Sequence, residues 1–87
     1  MFIRFDTEKR QRTLIERGLD FLDAQSVIDN AVTTFEDTRF AYPEIRMLTF
    51  GLLEERLVVV VWAEIEDGIR IISMRKANDR EQRRYQG

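Results

Sequence analysis

The stretch from Arg56 to Arg75 reads RLVVVVWAEIEDGIRIISMR. Two runs rich in β-branched residues flank Asp67-Gly68. An Asp-Gly pair is a strong hairpin signal, because a type I′ turn needs positive φ at both central residues. Arg56–Ile65 and Ile69–Arg75 are therefore predicted as paired antiparallel strands. Upstream, Ile45–Leu52 has the same character, and Glu54-Glu55 is a weak turn signal that, if it is a two-residue turn, pairs this strand with Arg56–Ile65. Three strands in a meander are the minimum that this region implies.

The meander leads on both sides into helices. Downstream, Asn78-Asp79-Arg80-Glu81 is a capping box, with the cap at Asn78 and an acid three residues on. A helix to about Tyr85 follows. Upstream, Phe2-Ile3-Arg4-Phe5 alternates as a short strand. Asp6 or Thr7 can cap a helix running to about Arg17, and Gly18 sits where a left-handed stop is expected. Asp20 is the next cap. Phe21, Leu22, Ala24, Val27 and Ile28 after it have helical spacing, ending near Asn30. Val32–Phe35 is a short edge strand, and residues 36–44 form a loop. The order β-α-α-β-β-β-β-α predicts an α+β fold: a mainly antiparallel sheet of four to five strands, packed with two N-terminal helices and one C-terminal helix.

The chain has 87 residues, one domain's worth. With 44% hydrophobic and 34% charged residues it reads as soluble and globular. The longest apolar run, Leu57–Ala63, is too short to span a bilayer, and no secretory signal is visible. The chain has no cysteine and no histidine. That excludes disulfides and thiolate chemistry, fits a reducing cytoplasm, and removes the commonest general base and zinc ligand. No metal site and no cofactor are expected.

Charge is unevenly placed. Ile69–Gly87 holds six bases (Arg70, Arg75, Lys76, Arg80, Arg83 and Arg84) against two acids, whereas the whole chain carries −2. One basic end on an acidic molecule can attract a polyanion. Strand alternation adds a face assignment. A turn centred on Asp67-Gly68 pairs Glu64 with Ile71 and Trp62 with Ser73. One face then holds Val58, Val60, Trp62, Glu64, Ile69, Ile71, Ser73 and Arg75, and is expected to be the exposed working face. The other holds Leu57, Val59, Val61, Met74, Leu48 and Phe50, with Arg46 and Arg70. It is expected to be the helix-covered core.

The run Arg70-Ile-Ile-Ser-Met-Arg-Lys-Ala77, followed by Glu81 and Tyr85, resembles the C-terminal signature of the BrnT toxins. The resemblance extends through Glu44-Ile-Arg46, Phe50-Gly51, the valine-rich strand ending in Glu64, the Leu14–Phe21 segment and Phe5-Asp6. It implies a RelE-like fold and a type II toxin that cleaves RNA to block translation. It also implies a BrnA-like antitoxin, whose ribbon-helix-helix part binds operator DNA, so that this chain would meet DNA only through that partner. One departure stands out: the family usually has Lys-His-Gly where this chain has Glu16-Arg17-Gly18. If the histidine acts in the chemistry, this copy is weak or inactive. If it packs the helix end, nothing is lost.

Metal-independent RNA cleavage needs a base for the 2′-hydroxyl, cations for the phosphorane charge and an acid for the leaving oxygen. Under the resemblance, Glu64 is the expected base, and Arg75 and Lys76 are phosphate clamps. Tyr85 stacks on a base or donates a proton, and Ser73 orients a phosphate oxygen. Arg46 and Arg70 belong to the same cluster by the family pattern but fall on the opposite face by alternation. Arg80, Arg83 and Arg84 are candidate RNA contacts. Each has a plainer reading: Glu64 as a strand-end charge, the arginines as a solvated helix face, Tyr85 and Trp62 as packing. The alternative function is a binding module of the same fold, inactive or weakly active, serving as a co-repressor or protein-interaction domain. A plain structural protein is a third reading.

Overall fold

The computed structural model describes residues 2–86. Its elements are β1 (Phe2–Arg4), α1 (Thr7–Arg17), a 3-10 turn (Phe21–Asp23), α2 (Ala24–Asp29), β2 (Ala31–Glu36), β3 (Met47–Leu53), β4 (Arg56–Ile65), β5 (Gly68–Lys76) and α3 (Asp79–Tyr85). Asp6 begins α1, its carboxylate accepting from the backbone N–H groups of Glu8 and Lys9. Gly18 ends it with φ 68°, and its N–H donates to the Leu14 carbonyl. Asp20 accepts from Leu22 N–H to start the 3-10 turn. It also accepts a two-pronged contact from Arg10, at 2.8 and 3.0 Å, which ties α1 to that turn.

The strand order is β1-β5-β4-β3-β2. Three of the pairings are antiparallel, but β1 runs parallel to β5, so the sheet is mixed. The edge position expected for Val32–Phe35 is where β2 lies. The helices need a larger correction. No residue of α1 is buried, because Leu14 and Ile15 alone cannot make an apolar stripe. The second helix is split into the 3-10 turn and the short α2. That unit carries the burial, with Phe21, Ala24 and Val27 fully enclosed.

The hairpin tip also shifts by one residue. Ile65 pairs with Gly68, which leaves Glu66 and Asp67 as the turn residues. Neither they nor Gly68 has positive φ. Gly68 is needed for another reason: a Cβ there would lie 1.8 Å from the Phe2 carbonyl oxygen, where β1 docks.

The sheet is covered on both sides. On one, Phe21, Ala24 and Val27 pack on Val58, Val60, Ile69, Ile71 and Met74. On the other, Ala77 and Tyr85 pack with Leu48, Phe50, Leu57 and Val59. A strand buried on both faces reads as a continuous apolar run, which is why β4 has four successive valines. The expected division into an exposed face and a covered face is therefore wrong. A bulge is the second reason: Val61 pairs with Ser73 but Trp62 with Ile71, leaving Ile72 as the extra residue. Beyond it the alternation inverts. Met74 turns into the α2 side, and Ser73 and Arg75 turn to the α3 side. No helix among the described residues is long and apolar enough to cross a membrane.

Candidate functional site

Helix α3 forms because its first turn is satisfied locally. Asn78 accepts from Glu81 N–H at 2.8 Å, and Glu81 accepts from Asn78 N–H at 2.9 Å. Ala77 N–H donates to the Leu57 carbonyl, and Gln86 donates to that of Glu55, so both ends of the helix are fixed to the sheet. The Tyr85 ring lies 4.6 Å from that of Phe50, and Phe50 stacks in turn on Phe35 at 5.9 Å. These contacts hold α3 across one end of the α3-side face.

Between α3, the end of β2 and the loop after it lies a cleft of about 350 Å³. Phe35, Leu48, Phe50 and Tyr85 are its apolar lining. Arg39, Arg75, Arg80 and Arg84 are its cations, and Glu36, Asp37 and Glu81 its acids. Arg75 forks onto Glu81 at 2.7 and 2.9 Å. Hydrogen bonding from Arg75 outweighs partial burial and holds the Glu81 carboxyl below its ordinary range. Arg39 forks onto Asp37 at 2.8 and 2.9 Å. That contact holds the nearly buried Asp37 far below the usual carboxylate range and raises Arg39. Arg80 and Arg84 make no ion pair with any described residue, although Arg84 lies 5.5 Å from the Tyr85 ring centroid. The cleft thus presents two committed cations and two uncommitted ones over an aromatic floor.

Of the residues singled out in the sequence, Arg75, Tyr85, Arg80 and Arg84 come together here. Arg83 is exposed on α3 and does not line the cleft. Arg46 and Arg70 lie on the same side of the sheet as Arg75, contrary to the alternation reading. Both donate to Glu44, at 3.3 and 2.6 Å. They occupy the other end of that face: Arg75 is opposite Val59 and Arg70 opposite Ala63, four residues or about 13 Å along β4. Ser73, opposite Val61, lines a separate groove with Lys9, Arg12 and Thr13 of α1.

Glu64 and Lys76 do not join the cleft. Glu64 pairs with Ile69 and lines a different hollow with Ile45, Met47 and Trp62. Lys76 pairs with Val58 and lies near Leu19 and Asp23. Both project from the α2 side, so the expected grouping of Glu64 with Ser73 and Arg75 is undone by the bulge at Ile72. Trp62 Nε1–H donates to Thr49 at 2.9 Å, a packing role. Arg17 donates to the Met74 carbonyl at 2.7 Å, so it binds the end of α1 to β5.

Sequence reasoning missed Phe35, Glu36, Asp37 and Arg39. Phe35 was visible as an edge-strand aromatic. The Asp37–Arg39 fork was not, because it sits in a loop without periodicity. Residues 5–81 match the family described as the ribonuclease toxin, BrnT, of type II toxin-antitoxin systems. The match ends at Glu81, so Arg83, Arg84 and Tyr85 lie beyond it. No individual curated protein matches the chain.

Proposed function

The chain belongs to the BrnT family of ribonuclease toxins of type II toxin-antitoxin systems, and we propose that it is a metal-independent endoribonuclease whose working site is the arginine cleft beneath α3. The observation that carries this reading is the ring of Arg39, Arg75, Arg80 and Arg84 around an aromatic floor. A phosphodiester seated there would meet guanidinium donors suited to its paired oxygens. As the 2′-hydroxyl attacks, charge grows on the phosphate oxygens, and fixed cations stabilise that charge more than the ground state. Arg75 is held in place by Glu81, while Arg80 and Arg84 are available to the substrate.

The cleft itself supplies one free group for proton transfer, Tyr85. Glu81 and Asp37 are bound by arginines and are poor bases for that reason. Glu36 borders the cleft, but its register partner Met47 pairs with Trp62, so its side chain leaves the sheet on the α2 side and the 2′-hydroxyl proton is left to solvent. Tyr85 is assigned to the leaving oxygen. Arg46 and Arg70, at the far end of the face, would hold a neighbouring phosphate of a longer strand, with Ser73 between them and Arg75. Glu64, Lys76 and Arg83 receive no part in the chemistry.

The consequence in a cell would be cut RNA and arrested translation. The partner would be a BrnA-like antitoxin with a ribbon-helix-helix part, presenting an acidic or amphipathic segment to the cleft and carrying the toxin to operator DNA. A second reading, an inactive co-repressor or interaction module, is favoured by one observation: Arg46, Arg70 and Arg75 are already paired with carboxylates. Expression of the chain alone separates the two. The nuclease reading predicts growth arrest, relieved by the Arg80→Gln, Arg84→Gln double variant at equal protein level. Continued growth with abundant folded wild-type chain would favour the interaction module.

A further inference from the structure

We infer that Phe35 is the platform on which a nucleobase of a single-stranded RNA stacks, making the cleft a nucleotide subsite rather than a phosphate site alone; this rests on the ribonuclease reading above. Phe35 is 42% exposed although it lies in a sheet with an apolar face. Its ring is stacked on that of Phe50, with 23° between the planes. One face is therefore supported, and the exposed remainder borders the cleft. The other two aromatics there are less free: Phe50 is buried, and Tyr85 is held between Phe50 and the Arg84 guanidinium.

Isolated exposed phenylalanines are ordinary. This one is backed by a second ring and shares the cleft with Arg80 and Arg84, which no described carboxylate neutralises. That combination is what a nucleotide requires: a flat apolar surface for the base and cations within side-chain reach for its phosphate. Stacking tolerates every base, so the subsite would favour single-stranded over paired RNA without reading sequence by itself. A duplex cannot present an unstacked base to the ring.

The test uses binding, so that cutting does not confuse it. The probes are a 2′-O-methyl adenosine hexamer and an abasic 2′-O-methyl strand of the same length. Wild-type chain should prefer the base-bearing strand by roughly five- to a hundredfold. Phe35→Leu should lose most of that preference with affinity for the abasic strand unchanged. Phe35→Tyr, which keeps the ring, should retain it and serves as the folding control. Arg80→Gln with Arg84→Gln should weaken both strands alike. A Phe35→Leu variant that keeps the preference overturns the inference, as does a wild-type chain that binds both strands equally, and in both cases the phosphate-binding reading survives. A wild-type chain that binds neither strand overturns the ribonuclease reading and the subsite with it. Loss of antitoxin binding in Phe35→Leu, with base preference intact, would assign the ring to a protein interface instead.

Discussion

Asp37 is 5% exposed, and four donors surround its carboxylate: the Arg39 N–H, two guanidinium nitrogens of Arg39 and the Tyr42 hydroxyl. Its own N–H donates to the Arg46 carbonyl at 2.7 Å, so one residue fixes both ends of the loop that walls the cleft. The ionised form is favoured in the folded chain, chiefly by Arg39. A depressed folded pKa means that the unfolded chain binds more protons as pH falls through the ordinary carboxylate range. The stabilisation is complete above about pH 4 and is lost progressively below it. Acid titration of stability should therefore show a shallower fall below about pH 4 in Asp37→Asn than in the wild type. Equal slopes would show that this carboxylate is not held as described. At the Glu16-Arg17 departure, Arg17 donates to the Met74 carbonyl and so ties the end of α1 to β5.

The β3–β4 turn shows strain at the level of an element. Glu54 and Glu55 have φ of 50° and 67°, the left-handed region that ordinary side chains disfavour. Two-residue hairpins of this hand are best served by Asn-Gly. Glu54→Asn with Glu55→Gly should raise stability by about 1–2 kcal/mol in urea titration. No gain would mean that the turn relaxes to another form in solution. Most elements were legible in the sequence. The caps at Asp6, Asp20 and Asn78, the stop at Gly18 and the β3–β4–β5 meander each follow from local chemistry. The bulge at Ile72 was not legible. It inserts one residue without any Gly or Pro to mark it, and it reverses the facing of Ser73, Met74 and Arg75. The side taken by α3 was also hidden, because β4 is apolar on both faces and alternation cannot choose between them. The cleft was half legible: its α3 and β5 cations followed from charge pattern and resemblance, whereas its loop wall depended on a tertiary fork.

Across the whole molecule, the segment from Ile69 onward is basic within a chain of net −2. The structure divides those bases. Arg75, Arg80 and Arg84 gather with Arg39 at one cleft, Arg70 joins Arg46 at Glu44, and Lys76 turns to the opposite side. RNA affinity should therefore depend on a local patch and weaken as salt rises. The side of the sheet on which the chemistry occurs is the central claim. Cleavage of single-stranded RNA by purified wild type, Arg80→Gln/Arg84→Gln and Glu64→Gln, with thermal unfolding compared in parallel, tests it directly. All three substituted residues are exposed, so the melting temperatures should agree. The account predicts at least a tenfold loss of cleavage in the double arginine variant, which corresponds to about 1.4 kcal/mol of lost transition-state stabilisation. It also predicts near wild-type cleavage in Glu64→Gln. Full activity without Arg80 and Arg84, together with an inactive Glu64→Gln, would contradict it.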